Sequence, residues 1–133
     1  MLAISPTLIT DAKRLDLLPH YFGRWYGIAE SALYNVLTEF CCQYQGAYWH
    51  FYKLSNQGLY MAPEMPGPLR LYIPGNGYEC EVSADAAGVI ATLYMLNYLC
   101  SRSQSESFLN LYDLLLDYAY GHSERKKILS AID

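Results

Sequence analysis

Any chemistry in this chain would have to come from three histidines, four cysteines and a thin scatter of carboxylates. His50 lies in Tyr48-Trp49-His50-Phe51-Tyr52-Lys53-Leu54, an aromatic run that reads as a β-strand. Period-two alternation puts His50 on one face with Tyr48 and Tyr52. There it is expected to be a satisfied polar residue among aromatics, with a binding contact as the alternative and a general base as the remotest reading. His20 follows Pro19 in an expected turn, and His122 follows a helix-ending glycine. Both read as exposed, His122 as a solvated or capping residue. Glu79 and Glu81 alternate with Tyr78, Cys80 and Val82, so they fit a solvated sheet face better than an acid/base pair. Ser83-Ala84-Asp85 opens a helical pattern. Ser83 suits the N-cap and Asp85 the first turn, where a carboxylate meets the helix dipole. The alternative is that Asp85 joins the Trp49/His50 strand in one contact site for a protein partner.

The remaining motifs point away from catalysis, metals and cofactors. No GxSxG, HExxH, P-loop or dinucleotide fingerprint occurs. Pro74-Gly75-Asn76-Gly77 joins two hairpin strands instead of opening a helix, so it lacks a phosphate cradle. Cys41 and Cys42 are adjacent, which disfavours a bridge between them, and no Cys/His spacing suggests zinc. With no visible secretory signal, reduced thiols and a cytoplasmic location are expected. Ala84–Leu99 is the most apolar run, but it is short and contains Asp85, Gly88, Thr92 and Asn97, so no membrane span is expected.

Net charge is −4, and Arg125-Lys126-Lys127 is the only dense basic cluster. That cluster reads as a solvated helix C-terminus and supplies no footprint for nucleic acid. The acid is too sparse and scattered to imitate a duplex, which carries charge every few ångströms.

These residues need elements to hold them. Hydrophobic residues are 53% of the 133 and charged residues 17%, enough for the core of a single domain without staples. Residues 1–12 read as a loosely held arm. Leu15–Leu18 is expected to make one or two helical turns, ended by Pro19. Ile28–Tyr44 carries the first long helix, closed by Gln45-Gly46, with one of Cys41 and Cys42 buried and the other exposed. A four-stranded antiparallel meander follows at 48–54, 58–62, 69–73 and 78–82. Gly58 is expected to take positive φ in the first hairpin, and Pro63, Pro66 and Pro68 to break the ladder after strand two. Ala86–Leu99 is apolar nearly all round and reads as the central helix. Its small residues Ala84, Ala87, Gly88 and Ala91 would admit a close neighbour. Ser103 with Glu106 suggests a capping box for a third long helix, striped by Phe108, Leu111, Leu115 and Ala119 and closed by Gly121. Ser123 is expected to cap a short terminal helix through 130. The order of elements predicts an α+β fold with short terminal helical segments.

Several segments together carry a family resemblance. Gly46–Pro63 (GAYWHFYKLSNQGLYMAP), Gly75-Asn76-Gly77-Tyr78-Glu79, Ser83–Gly88 (SADAAG) and Leu96-Asn97-Tyr98-Leu99 resemble the ArdB/KlcA antirestriction family. Arg14–Gly23 and Ala131-Ile132-Asp133 extend the likeness over nearly the whole chain. The resemblance implies a small α+β protein of plasmids, phages or genomic islands that shields incoming DNA from type I restriction-modification. It also implies that the protein is neither an enzyme nor a DNA mimic of the strongly acidic ArdA kind. No catalytic residue comes with the family. Lys53 and Gln57 depart from its pattern, which has an acidic residue and a glycine there.

Trp49, His50, Asn56, Ser83 and Asp85 fall in the matching segments and are the expected partner-contact residues. The expected partner is a type I restriction-modification complex or a factor controlling it, with no strong direct DNA binding. Two other readings stand beside this one. One is an accessory module stacking single-stranded nucleic acid on the aromatic sheet, although that face lacks the Arg and Lys to hold a backbone. The other is a hydrolase built around His50 and Asp85.

Overall fold

The helix Ala84–Ser103 runs through the middle of the protein, and its sequence explains why. Nearly every residue from Ala86 to Leu96 is buried, and the helix reaches solvent mainly beyond that stretch, at Asn97, Tyr98 and Ser101. The computed structural model describes residues 3–133, so the first two residues of the expected arm lie outside it. The elements are β1 (Pro6–Leu8), α1 (Asp11–Phe22), a 3-10 turn (Gly23–Trp25), α2 (Tyr26–Phe40), β2 (Trp49–Leu54) and β3 (Leu59–Pro63). They continue with β4 (Leu69–Ile73), β5 (Tyr78–Val82), α3 (Ala84–Ser103), α4 (Glu106–Tyr120) and α5 (Arg125–Ile132).

The fold is α+β. All four expected strands form and all pair antiparallel, but in two sheets. One has the order β1-β2-β3, with Tyr52 opposite Tyr60, and the other is the β4-β5 hairpin. The proline-rich segment after β3 carries no ladder across, as its missing N–H groups dictate. The third strand of the first sheet comes from the expected arm. Thr7 pairs with Lys53, and Ile9 N–H donates to Phe51 O at 2.8 Å. Backbone donors near residues 5–9 thus find partners on the open edge of β2.

β3 is buried on both faces, and its free edge is closed by α3. At Gly88 a Cβ would lie 2.3 Å from Met61 O and 2.5 Å from Ala62 Cα, so only glycine permits this approach. One turn on, Thr92 Oγ1 accepts Met61 N–H at 3.1 Å. A strand edge that would otherwise be an unpaired donor is therefore satisfied by a side chain inside the core.

Other boundaries moved. α1 runs straight through Pro19 to Phe22, because Leu17, Leu18 and Phe22 bury one face against the core and outweigh the lost hydrogen bond. α2 starts and stops earlier than Ile28–Tyr44, since Cys41 turns extended and becomes buried while Cys42 stays exposed. In the β2-β3 hairpin Gln57, with φ 78°, takes the left-handed position, not Gly58. Gly58 instead sits 3.0 Å, measured from a notional Cβ, from Leu114 Cβ, where its lack of a side chain serves packing. α3 continues to Ser103, so Ser105 caps α4 and accepts Ser107 N–H. α5 begins at Arg125 behind Glu124, so Ser123 is not its cap, and the basic triplet opens a helix instead of ending one.

Candidate functional site

β2 turns Tyr48, His50 and Tyr52 to one side of the sheet, as the alternation requires. Ring contacts then continue out of the strand. Tyr52 stacks on Tyr60 at 4.9 Å between centroids, Tyr60 stacks on Tyr118 at 5.4 Å, and Tyr118 meets His122 edge-on at 5.9 Å. With Tyr48–His50 at 5.3 Å and His50–Tyr52 at 6.4 Å, the rings form one ladder from β2 through β3 to the end of α4. Stacked and edge-to-face pairs of this kind are each worth about 1 kcal/mol beyond their burial. The ladder is most open at Tyr48, half-buried through Tyr52 and Tyr118, and buried at Tyr60 and His122.

Asp85 anchors the closed end. Its Oδ1 accepts the Tyr60 hydroxyl at 2.7 Å and its Oδ2 takes His122 Nε2 at 2.8 Å. Burial pushes the carboxyl up, but the hydrogen bonds from His122 and Tyr60 outweigh it and hold Asp85 below the ordinary value of 3.8. Burial likewise raises the Tyr60 phenol, and its bond to Asp85 raises it further. His122 Nδ1 accepts Glu124 N–H at 3.0 Å, so that nitrogen bears no proton and Nε2 is the donor to Asp85. Beside this pair Ser83 N–H and Oγ donate to the two oxygens of Glu124 at 2.9 and 2.5 Å. Ser83 Oγ also accepts Ala86 N–H at 3.0 Å and so caps α3.

Serine, histidine and two carboxylates thus share a depression of about 490 Å³ at the start of α3. By composition this resembles a nucleophile relay, but the bonds run the wrong way. A relay needs the serine hydroxyl to donate to a histidine lone pair. Here the hydroxyl donates to Glu124, and neither ring nitrogen of His122 has a lone pair free. The cluster instead ties the first turn of α3 to the α4–α5 turn.

The open end is looser. His50 Nε2 stands 3.4 Å from Glu64 Oε1, with Glu64 largely exposed. The Arg14 guanidinium lies 4.2 Å above the Tyr48 ring and 4.6 Å from the Phe51 ring, and pairs with Asp11 at 3.6 Å. The Tyr48 hydroxyl donates to the same Asp11.

The five expected contact residues therefore separate. Trp49 is 2% exposed and donates to the Tyr44 hydroxyl at 3.0 Å, which removes its side chain from the surface. Asn56 is a turn residue: its Oδ1 accepts Gly58 N–H and its Nδ2 reaches Leu114 O, both at 2.9 Å. Ser83 is the expected cap, with Glu124 as an additional partner. His50 and Asp85 keep partly exposed side chains, 29% and 40%. They lie at different points on the ladder, with Tyr52 and Tyr60 between them, so Asp85 is paired with His122 and not with His50. His122, expected at the surface, is 9% exposed. Nothing in Gly121-His122-Ser123-Glu124 announces this, because the burial comes from α4 and α5 folding back onto the start of α3. Among the described residues no cluster of His, Cys, Asp and Glu could hold a metal ion. No helix there is long and apolar enough to cross a membrane.

Fold and site together define a small α+β protein with a half-open tyrosine face and polar clusters closed on themselves. The family described as "Antirestriction protein" matches residues 42–133. Two Escherichia coli proteins named Antirestriction protein KlcA are 40% and 41% identical to the chain. Both alignments cover 98% of it, and 95% and 94% of those proteins. A chain from the solved structures of KlcA and ArdB superposes with a TM-score of 0.92 at 40% identity, covering 99% of this chain and 96% of that one. Those proteins are described as having a novel fold and antirestriction activity against type I DNA restriction systems in vivo but not in vitro. The chain belongs to the KlcA/ArdB antirestriction family, and the homology supports a general antirestriction function.

Proposed function

We propose that this protein reduces DNA cleavage by host type I restriction-modification enzymes, acting in the cytoplasm through protein contact and without catalysis or extended DNA mimicry. The observation that carries the reading is the full-length likeness to KlcA and ArdB, described as active against type I systems in living cells. Their lack of activity in vitro favours a route through a cellular component over simple occlusion of the enzyme. A net charge of −4 is far from the dense negative face that duplex mimicry needs. The exposed part of the ring ladder, Tyr48 and His50 with Asp85 at its far end, is the contact surface. Trp49, Asn56 and Ser83 hold that surface in shape. Glu64 beside His50 and Asp85 at the far end put negative charge along the ladder, and Arg14 over Tyr48 is already paired with Asp11, which works against stacking single-stranded nucleic acid there.

The test is plating of unmodified phage on cells carrying a type I system, with and without the protein, beside modified phage and restriction-negative cells. Rescue confined to restricting cells supports the reading. No rescue at good soluble expression against several type I systems removes it.

A further inference from the structure

A second surface lies away from the ring ladder. α2 and α3 pack against each other and leave a cleft of about 950 Å³ along their solvent side. Each helix turns one stripe of its own surface into that cleft. From α2 come Ile28, Ala32, Asn35, Val36 and Glu39, and from α3 come Tyr94, Asn97, Tyr98 and Ser101. Spacings of three and four residues on both sides mark two faces at helical period. Phe40 meets Tyr94 edge-on at 4.9 Å at one end, and the stripes run back from there towards Arg24 and Tyr26. Ile73, Pro74 and Gly75 close the Phe40 end.

The cleft gathers large apolar side chains that the fold leaves in water. Tyr26 is 50% exposed, Ile28 41% and Tyr98 40%. All three line the same cleft, so it offers apolar side chains between polar ones, as a helix-binding groove does. Two packed helices that each offer a stripe to one cleft have the geometry that a third helix fills, ridges into grooves. From Ile28 to Glu39 the cleft is about 16 Å long, roughly three helical turns. The charges at its ends set a direction: Arg24 lines one end and Glu39 the other. A helix with acid in its first turn and base in its last is itself dipole-stabilised, and it meets both charges only when its N-terminus lies at Arg24.

We propose that the α2–α3 cleft is the docking groove for an amphipathic helix of a partner protein, about three turns long, running parallel to α2. Its apolar face, repeating at i, i+3, i+4 and i+7, covers Ile28, Val36 and Tyr98. Its N-terminal carboxylates meet Arg24 and its C-terminal lysine or arginine meets Glu39. The groove is separate from the ring ladder, so this inference stands whether or not the ladder is the antirestriction surface.

The experiment is amide chemical-shift mapping of the isotope-labelled full chain. The probe is a designed helical peptide with leucines at that spacing, glutamates at its N-terminus and lysines at its C-terminus. One control carries the leucines scrambled off the stripe and another carries the end charges exchanged. Shifts confined to α2, α3 and the Ile73–Gly75 turn are expected, with the charge-exchanged peptide weaker by about fivefold. In R24E/E39K that order should reverse. The pair I28E/Y98E should weaken binding by at least about twentyfold, with the far-ultraviolet spectrum unchanged because both sites are already exposed. Equal binding of the scrambled peptide, shifts elsewhere, or no shifts would overturn the proposal. Broadening of the same amides as the protein alone is concentrated would also overturn it and make a second copy the occupant.

Discussion

β2 and β3 are neighbours in one sheet, yet they solve opposite problems. β3 is closed on every side: both faces are buried, and its free edge is taken by Thr92 on α3. β2 keeps one face half-open, where Tyr48, His50 and Tyr52 look outward and His50 has only a distant, exposed carboxylate as partner. The ring ladder joins the two regimes. Its closed end holds a carboxylate and a histidine bonded to each other, with both histidine nitrogens occupied, and its open end is tied more loosely. The difference suggests a rigid inner strand that positions an outer one for contact. It predicts that damage should fall on stability at β3 and on function at β2.

The largest stability effect is expected from Gly88→Ala. Alanine gains about 1 kcal/mol of helix propensity over glycine. Its Cβ, however, would stand 2.3 Å from a backbone oxygen of β3 that no flexible side chain can relieve. Forcing the helix off the strand should leave a net loss of about 3 kcal/mol, read by urea denaturation. A neutral or stabilising result would mean that the seam is soft and the contrast with β2 is overstated.

Thr92→Val comes next. The shape is nearly kept, but Met61 N–H loses its acceptor inside a fully buried seam. An orphaned buried donor costs about 2 kcal/mol. Hydrogen exchange sharpens the test, because Met61 should lose protection while amides of β4 and β5 keep theirs.

This seam was partly legible in the sequence. The small residues around Gly88 announced a close neighbour, and the period-two pattern placed β2 to β5. The prolines announced a break in the ladder after β3, but not that β4 and β5 form a sheet of their own. β1 was hidden because Pro6-Thr7-Leu8 carries no pattern of its own; its pairing depends on the open edge of β2. The site was legible only where it is local. Ser83 as a cap needs a few residues of context, and His50 on the face of Tyr48 and Tyr52 needs only alternation. The Asp85–His122 bond joins residues 37 apart, and the Tyr52–Tyr60–Tyr118 stack crosses from a hairpin to a helix. Such contacts depend on tertiary packing, for which local pattern carries no signal.

Asp85→Asn tests the closed end of the ladder. An amide cannot accept from both Tyr60 and His122; with its oxygen turned to His122, its NH2 meets the Tyr60 hydroxyl, which must then accept instead of donate, and the charge that strengthened both bonds is gone. With allowance for the partial exposure of Asp85, the expected loss is about 1 kcal/mol at neutral pH. The pH dependence is the more specific readout. Because the folded carboxyl titrates below 3.8, its contribution is fully present above that value and is lost as pH falls through the folded value. The wild-type protein should therefore have a steeper acid limb than Asp85→Asn, and the two stability curves should converge at the acid end. Parallel curves would mean that Asp85 is not held by these bonds in solution.

His50→Ala should change stability least and discriminate most. The His50–Glu64 contact is 3.4 Å long and solvent-exposed, and pairs of that kind contribute below about 0.5 kcal/mol. The ring also packs edge-on against Tyr48 and, tilted and farther off, against Tyr52, and alanine is tolerated on a half-open face. Denaturation curves should therefore nearly overlay the wild type. In the phage-plating assay the same variant should lose most of its rescue if β2 is the contact strand, since His50 is the partly exposed polar group between Tyr48 and Tyr52 on the open ladder. Rescue retained at wild-type level by both His50→Ala and Tyr48→Ala would move the function off this face. The contrast between a sealed β3 and an open β2 would then describe folding alone.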